Sequence, residues 1–260
     1  MSTLAGDLAH GLGDAPQQSG RVALVTGASR GIGAAIARRI AADGAAVVLA
    51  ARSLEPLWLL ENELGDDAMA VRTDLTDTAD IDALIDRIRD RWGRLDILVN
   101  NAGVMPPARR LERISKDDWD AVIAVNLTAP WYLSGRAREL MIEGGAIVNV
   151  ASTAALYPAV GLSPYNITKA GLAMLTRSCA LEWAKHRIRV NAVVPGLVDT
   201  KMARPVLDYL ESNDLPVNPL GRIGSVEEIA ELVAFLTGPS AGYITGALIP
   251  IDGGELISIP

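Results

Sequence analysis

Tyr165 and Lys169 stand four positions apart in "SPYNITKAG", a helix-like stretch, so both side chains project from one face. A phenol with its ordinary pKa of about 10 is a poor proton donor at neutral pH, and an ammonium beside it stabilises the phenolate and draws that value down. The chain has 5 Tyr and 4 Lys, and chance alone gives about 0.08 such pairs in a sequence this long. The plain alternative is a surface pair on a helix. Two more polar residues fall where they can join the pair. Ser152 ends the apolar run "GAIVNVAS", and its hydroxyl can hold a carbonyl oxygen; Asn126 lies in "AVNLT" on a helix facing the same edge. Taken singly, Ser152 reads as a turn residue and Asn126 as a buried structural amide.

These side chains need a scaffold, and the apolar pattern describes one. From Arg21 onward, short β-branched runs alternate with longer amphipathic ones: "VALVTG", "AAVVLAA", "AMAVRTD", "LDILVNNAG", "GAIVNVAS", "IRVNAVVPG" and "ALIPIDGG" are strand-sized. Helical stretches separate them, around Leu54 to Leu64, Asp117 to Val125, Ala129 to Glu143 and Pro164 to His186 among others. The expected class is α/β, a Rossmann-type doubly wound sheet of seven mainly parallel strands with helices on both faces, and the site belongs along the carboxyl ends of the strands. Residues 1–20 mix Gly, Pro and small polar residues without periodicity and are expected to form a flexible arm. Residues 21–260 read as a single catalytic domain.

The first strand opens into "TGASRGIG", with Gly27, Gly31 and Gly33 just before a helix. Glycines allow a sharp turn and a close approach of phosphate oxygens, which the free N–H groups and the positive end of the helix dipole favour. This is the pattern of a dinucleotide cradle. At the end of the second strand, where a carboxylate would receive the ribose 2′-OH of NAD, the sequence reads "LAARS". Arg52 on one side and Arg30 within the glycine turn suit a 2′-phosphate instead. The expected cofactor is therefore NADP, with NAD disfavoured; the plain alternative is two solvated arginines.

Bulk properties narrow the partners. A formal charge of -7 argues against nucleic acid or an anionic membrane surface as the main partner. The single cysteine, Cys179, forms no internal disulfide, no basic-then-apolar leader is seen, and no apolar run is long enough to span a bilayer. The expected compartment is the cytoplasm, the expected partner a small molecule, and no metal is called for.

Together the residues resemble the short-chain dehydrogenase/reductase family, in its compact branch of the 3-oxoacyl carrier-protein reductase type. The resemblance covers essentially 21–254 through "TGASRGIG", Asp74 in "TDLT", "NNAG", Asn126, Ser152, "YNITK", "PGLVDT" and "DGG". It implies that Asn126, Ser152, Tyr165 and Lys169 form a catalytic tetrad. Lys169 also bonds the nicotinamide ribose, and Asn126 anchors a water through which the proton is replenished. It further implies that Asp74 with Leu75 contacts the adenine, that Asn101, Ala102 and Gly103 lie along the cofactor, and that Thr200 reaches the carboxamide. Ser29 and Ile32 of the glycine turn, and Pro195, Gly196 and Val198 of "PGLVDT", complete the cofactor set. A homotetramer through the two long helices and the C-terminal segment is implied as well.

The implied reaction is reduction of a carbonyl, with hydride from NADPH, the oxygen held by Ser152 and the proton given by Tyr165. The pocket-lining candidates are Met105, Ala154, Tyr157, Leu162, Leu197 and Met202, from apolar loops that fit an uncharged ketone or oxo-acyl group. Lys201 to Pro219 reads as a lid or as a passive packed insertion. Two other readings stay open: oxidation of an alcohol by the same residues, and a cofactor-binding regulator without catalysis.

Overall fold

The computed structural model describes residues 17–213 and 215–258. The apolar runs form β1 (Val22–Thr26), β2 (Ala46–Ala51), β3 (Ala68–Arg72), β4 (Ile97–Asn100), β5 (Gly145–Val150), β6 (Ile188–Pro195) and β7 (Leu248–Ile251). Every residue of β1 and β4 is buried, which is why these runs do not alternate with polar residues: both sheet faces are covered. The strands make one sheet in the order β3-β2-β1-β4-β5-β6-β7, and all its pairs are parallel, so "mainly parallel" becomes wholly parallel.

Among the described residues the α-helices are α1 (Gly31–Ala42), α2 (Leu54–Leu64), α3 (Thr78–Trp92), α4 (Lys116–Ile123), α5 (Ala129–Arg138), α6 (Ser163–Trp183), α7 (Arg204–Ser212) and α8 (Val226–Thr237). Alternate strand residues feed opposite cores. Ala23, Val25, Val47 and Leu49 pack against Ile36 and Ile40 of α1, Leu57 of α2 and Val233 of α8. Val22, Leu24, Val48 and Leu98 pack against Ile85 and Ile88 of α3, Leu133 of α5 and Cys179 of α6. The chain runs outward from β1 in one direction and from β4 in the other, which opens a crevice above the carboxyl ends of those two neighbours.

The expected arm needs correction at its inner end. Residues 1–16 lie outside the described residues, but Gln18 is fully buried. Its N–H donates to the Asp43 carbonyl (2.9 Å), and its Nε2 to the Ala234 carbonyl (3.3 Å) and Thr237 Oγ1 (3.2 Å). A buried amide with those bonds satisfied is part of the fold. The helix expected over Ala129 to Glu143 ends at Arg138, and α7 occupies the middle of the segment Lys201 to Pro219, with Leu207 as its one buried side chain.

The β1–α1 turn is the tightest piece of packing near the crevice. Gly27 holds φ +66°, and a methyl on Gly33 would come within 2.4 Å of the Gly27 carbonyl oxygen and 2.5 Å of Asn101 Nδ2. Neither neighbour can retreat: one is backbone, and the other is bonded to the Thr26 carbonyl (2.8 Å). Gly33→Ala is expected to lower stability by about 2–3 kcal/mol in urea unfolding, and an unchanged midpoint would show that the turn has slack.

Candidate active site

The β1–α1 turn has the form that a phosphate group requires. Gly27 and Gly31 both adopt positive φ, +66° and +56°, and a methyl on Gly31 would meet nothing nearer than the Thr200 methyl at 3.7 Å. Helix α1 starts at Gly31 without a side-chain cap and without an acidic residue in its first turn, so its leading N–H groups have no internal competitor for an anion. Thr26 stitches this turn to β4: its Oγ1 donates to the Val99 carbonyl (3.1 Å) and accepts from the N–H groups of Asn101 (3.0 Å) and Ala102 (3.1 Å). The residues present therefore fit the diphosphate of a dinucleotide laid across the switch point.

Beyond β2 and β3, Arg52 and Arg72 are exposed. The Asp74 carboxylate accepts from the Thr76 N–H (3.0 Å) and hydroxyl (2.8 Å). Those bonds, and then the positive charge of Arg52 and Arg72, hold it below the usual carboxylate range. Arg72 pairs with Ala51 in the β2–β3 register and so ends beside Arg52; reading along the chain alone does not reveal that neighbour. Leu75 is half-buried next to Asp74, and Ser29 and Ile32 are half-buried in the glycine turn, whose Arg30 is exposed.

The four candidate tetrad residues converge from three elements. Ser152 follows β5 in extended conformation, and its Oγ accepts from the Ala154 N–H (3.2 Å). Tyr165 and Lys169 lie on α6, with the Lys169 Nζ 5.6 Å from the centre of the tyrosine ring. Ser152 lies close enough to the Tyr165 phenol to draw its pKa down. Asn126 is buried in a π-helical turn, Ala124–Thr128, between α4 and α5. Pro130 has no N–H to offer the carbonyl four residues back, that of Asn126, and the helix accommodates this with a wider turn.

The electrostatics differ from the simplest expectation. Burial raises the Tyr165 phenol above its ordinary value, and the group that pulls it back down is Ser152 rather than Lys169. The ammonium of Lys169 donates to the Val150 carbonyl (2.7 Å), and burial pushes its pKa down to about 8. The side chain of Asn126 is likewise committed: it accepts from the Val104 N–H (2.8 Å) and donates to the Val104 carbonyl (2.8 Å) and to Thr168 Oγ1 (3.3 Å). Its amide holds the loop after β4 against α6. Gly103 lies in that loop, where a methyl would come 3.7 Å from Lys169 Nζ.

Of the pocket candidates, Met105, Leu162 and Leu197 are half-buried and Ala154 is buried, while Tyr157 and Met202 are about half-exposed at the rim. Pro195 ends β6 and Gly196 follows it; Val198 turns its side chain into the core instead. Thr200 Oγ1 accepts from the Ala203 N–H (3.3 Å). A separate cavity of about 320 Å³, lined by Arg138, Lys185, His186 and Arg187 among others, lies where β5 and β6 begin and shares none of these residues. No helix among the described residues is long and apolar enough to cross a membrane.

Comparison with known proteins agrees with this geometry. A family model described as enoyl-(acyl carrier protein) reductase matches residues 27–255. A cis-4-hydroxycyclohexanecarboxylate dehydrogenase of Sinomonas cyclohexanicum is 40% identical over 238 residues, 90% of this chain and 96% of that protein. A 3-oxoacyl-[acyl-carrier-protein] reductase of Escherichia coli is 38% identical over 90% of this chain and 97% of its own. The crystal structure of a 3-ketoacyl-(acyl-carrier-protein) reductase from Brucella melitensis, complexed with NADH, superposes with a TM-score of 0.86 at 33% identity, covering 92% of this chain and 99% of that one. A variant of a Serratia marcescens short-chain dehydrogenase/reductase gives 0.85 at 39% identity over the same shares. With its sheet order, its glycine turn and its Ser152, Tyr165 and Lys169 cluster, the chain belongs to the short-chain dehydrogenase/reductase family of oxidoreductases.

Proposed function

We propose that this protein is an NADPH-dependent reductase of apolar ketones or oxo-acyl groups, with Tyr165 as the general acid. The observation that carries the reading is the Tyr165 phenol set between Ser152, which draws its pKa down, and the buried Lys169 ammonium, 5.6 Å from the centre of its ring. A nicotinamide cofactor, when bound, supplies the hydride. The chain does the rest. Ser152 and Tyr165 both offer O–H groups to one point, which suits a single carbonyl oxygen that gains negative charge as its carbon is reduced. Because burial raises the phenol, Tyr165 holds its proton at neutral pH and is primed to donate. Lys169, charged below about 8, stabilises the phenolate left behind. Asn126 keeps Val104 and α6 at a fixed separation and thereby keeps Lys169 in place.

The cis-4-hydroxycyclohexanecarboxylate dehydrogenase among the relatives favours a second reading, oxidation of a secondary alcohol, in which the same groups run in reverse. The family-model description points to enoyl groups as a third substrate class. A panel of ketones, 3-oxoacyl thioesters, enoyl thioesters and secondary alcohols, assayed in both directions, decides among them. The expected result is NADPH oxidation with the carbonyl arms; turnover of the enoyl arm alone would sink the proposal. Tyr165→Phe is expected to lower kcat by about 10²–10⁴-fold while NADPH binding, read by fluorescence, stays near that of the parent.

For the cofactor, Arg30, Arg52 and Arg72 around the adenosine end support NADP, whereas the Brucella relative was crystallised with NADH. Arg52→Asp is expected to weaken the kcat/KM for NADPH by about tenfold to a hundredfold and to improve that for NADH, since one charge-assisted contact is lost and a 2′-OH acceptor gained. Equal use of both cofactors by the unaltered protein would count against the assignment.

We also propose a homotetramer. Trp131 on α5 and Ile167, Met174 and Leu181 on α6 are 60%, 47%, 59% and 83% exposed, an apolar face that water does not favour. Light scattering on a sizing column is expected to give four times the chain mass of 27.4 kDa; a monomer at micromolar concentration would refute it.

A further inference from the structure

The C-terminal turn Glu255–Ile257 sends a carboxyl group underneath the site. Glu255 Oε1 accepts a hydrogen bond from Thr153 Oγ1 (3.1 Å), and Thr153 is the residue immediately after Ser152. The other oxygen, Oε2, is buried without a hydrogen-bond partner. It lies beneath Gly196, close enough that a methyl on that glycine would approach it to 2.6 Å, and near the Leu197 N–H. Gly196 and Leu197 begin the loop that runs over the crevice to Thr200 and α7. One carboxyl group thus touches the turn that presents the candidate hydroxyl and the turn that starts the overlying loop.

The surroundings hold that group in place and deny it a counter-ion. Asp252 accepts from the N–H groups of Gly254 (3.0 Å) and Leu256 (2.9 Å), which fixes the turn. Leu256 packs with Ala151, Ala192 and Val194 at the ends of β5 and β6. The titratable neighbour that acts on Glu255 is Asp252, a like charge, and among the described residues no cation on the β5 or β6 loops acts on it. A carboxyl with one buried, unpaired oxygen, an acidic neighbour and no counter-ion is easiest to accommodate neutral, and this outweighs the Thr153 hydroxyl and the Leu197 N–H, two donors that favour the charged form.

We propose that Glu255 is a positioning residue for the site: as a neutral carboxyl it ties the turn presenting Ser152 to the turn that begins the loop over the crevice, and its ionisation slackens the tie. This rests on the reading of Ser152 as the group that orients the substrate oxygen. Burial foremost, and Asp252 after it, raise the acid above its ordinary value of 4.5 against the pull of the Thr153 hydroxyl and the Leu197 N–H, so the neutral form is favoured in the folded protein below that raised value. The contribution is fully present at low pH and is lost as pH rises through it.

Three variants test the tie. Glu255→Gln keeps a neutral side chain of the same length, Glu255→Ala removes it, and Thr153→Val removes its partner with little change in volume. Ketone reduction is followed between about pH 5 and about pH 8. In the parent, KM for the ketone is expected to rise with pH across an inflection above 4.5, while Glu255→Gln shows no such inflection. Glu255→Ala is expected to raise KM about tenfold at all pH values, with kcat and NADPH affinity within about twofold, and to be non-additive with Thr153→Val. Identical pH profiles for the parent and Glu255→Gln, or additive effects of Glu255→Ala and Thr153→Val, would overturn the proposal.

The same variants are compared by thermal unfolding, which needs no turnover. Stability of the parent relative to Glu255→Gln is expected to fall as pH rises through the same window, and a constant difference would overturn the tie by itself. If no ketone is reduced at all, the functional reading fails while the unfolding data still judge Glu255.

Discussion

Lys169 is a cation withdrawn almost wholly from water, with 4% of its surface exposed and a backbone carbonyl as its hydrogen-bond partner. Removing a charge from water costs several kcal/mol, and the usual remedy is a buried carboxylate alongside. Around this lysine the chain uses dipoles instead. The last carbonyl of β5 points at the ammonium, Gly103 leaves room for it beside the loop after β4, and the peptide of Val104 is pinned by Asn126. The arrangement leaves the ammonium poised near neutrality, its pKa lowered to about 8.

Holding those dipoles in register requires rigidity below them, and a chain of buried amides and hydroxyls supplies it. Asn100 on β4 donates to Asn149 on β5 (2.8 Å) and to Ser134 on α5 (3.0 Å), and Asn149 donates to Thr176 on α6 (2.8 Å). Each bond joins a different pair of elements, so the height of α6 above the sheet is set by a polar network whose members cannot be traded for water. Apolar packing alone would leave that helix free to slide by fractions of an ångström, and with it the positions of Tyr165 and Lys169.

The strands, the two-faced sheet, the glycine turn and the Tyr165 and Lys169 pair were legible because each depends on residues near one another in sequence. Periodicity shows which runs become buried strands, and glycine spacing shows where the backbone must turn. What was illegible depends on meetings between distant segments. Arg72 looks like the end of any strand until parallel pairing sets it beside Ala51. Gln18 carries no local sign that it will close a hydrogen-bonding gap between β1 and α8. The lysine was expected to depress the tyrosine directly, yet Ser152 does so and Lys169 turns to Val150, because the depth of burial at α6 is a property of the assembled core. Glu255 in "DGGELISIP" is likewise silent until the C-terminal turn folds under the β5 and β6 loops.

The π turn at Ala124–Thr128 is more than a place to carry Asn126. It holds one residue more than an α-helical turn would, and one residue amounts to about 100° of rotation around a helix axis. Helices α4 and α5 are therefore out of phase with each other along what is otherwise a continuous helical run. Val122 faces inward on one side of the offset, and Leu133 and Ala137 face inward on the other, leaving Trp131 outward. The irregularity acts as a phase corrector: it allows one helical run to serve the crevice with its first half and the sheet with its second.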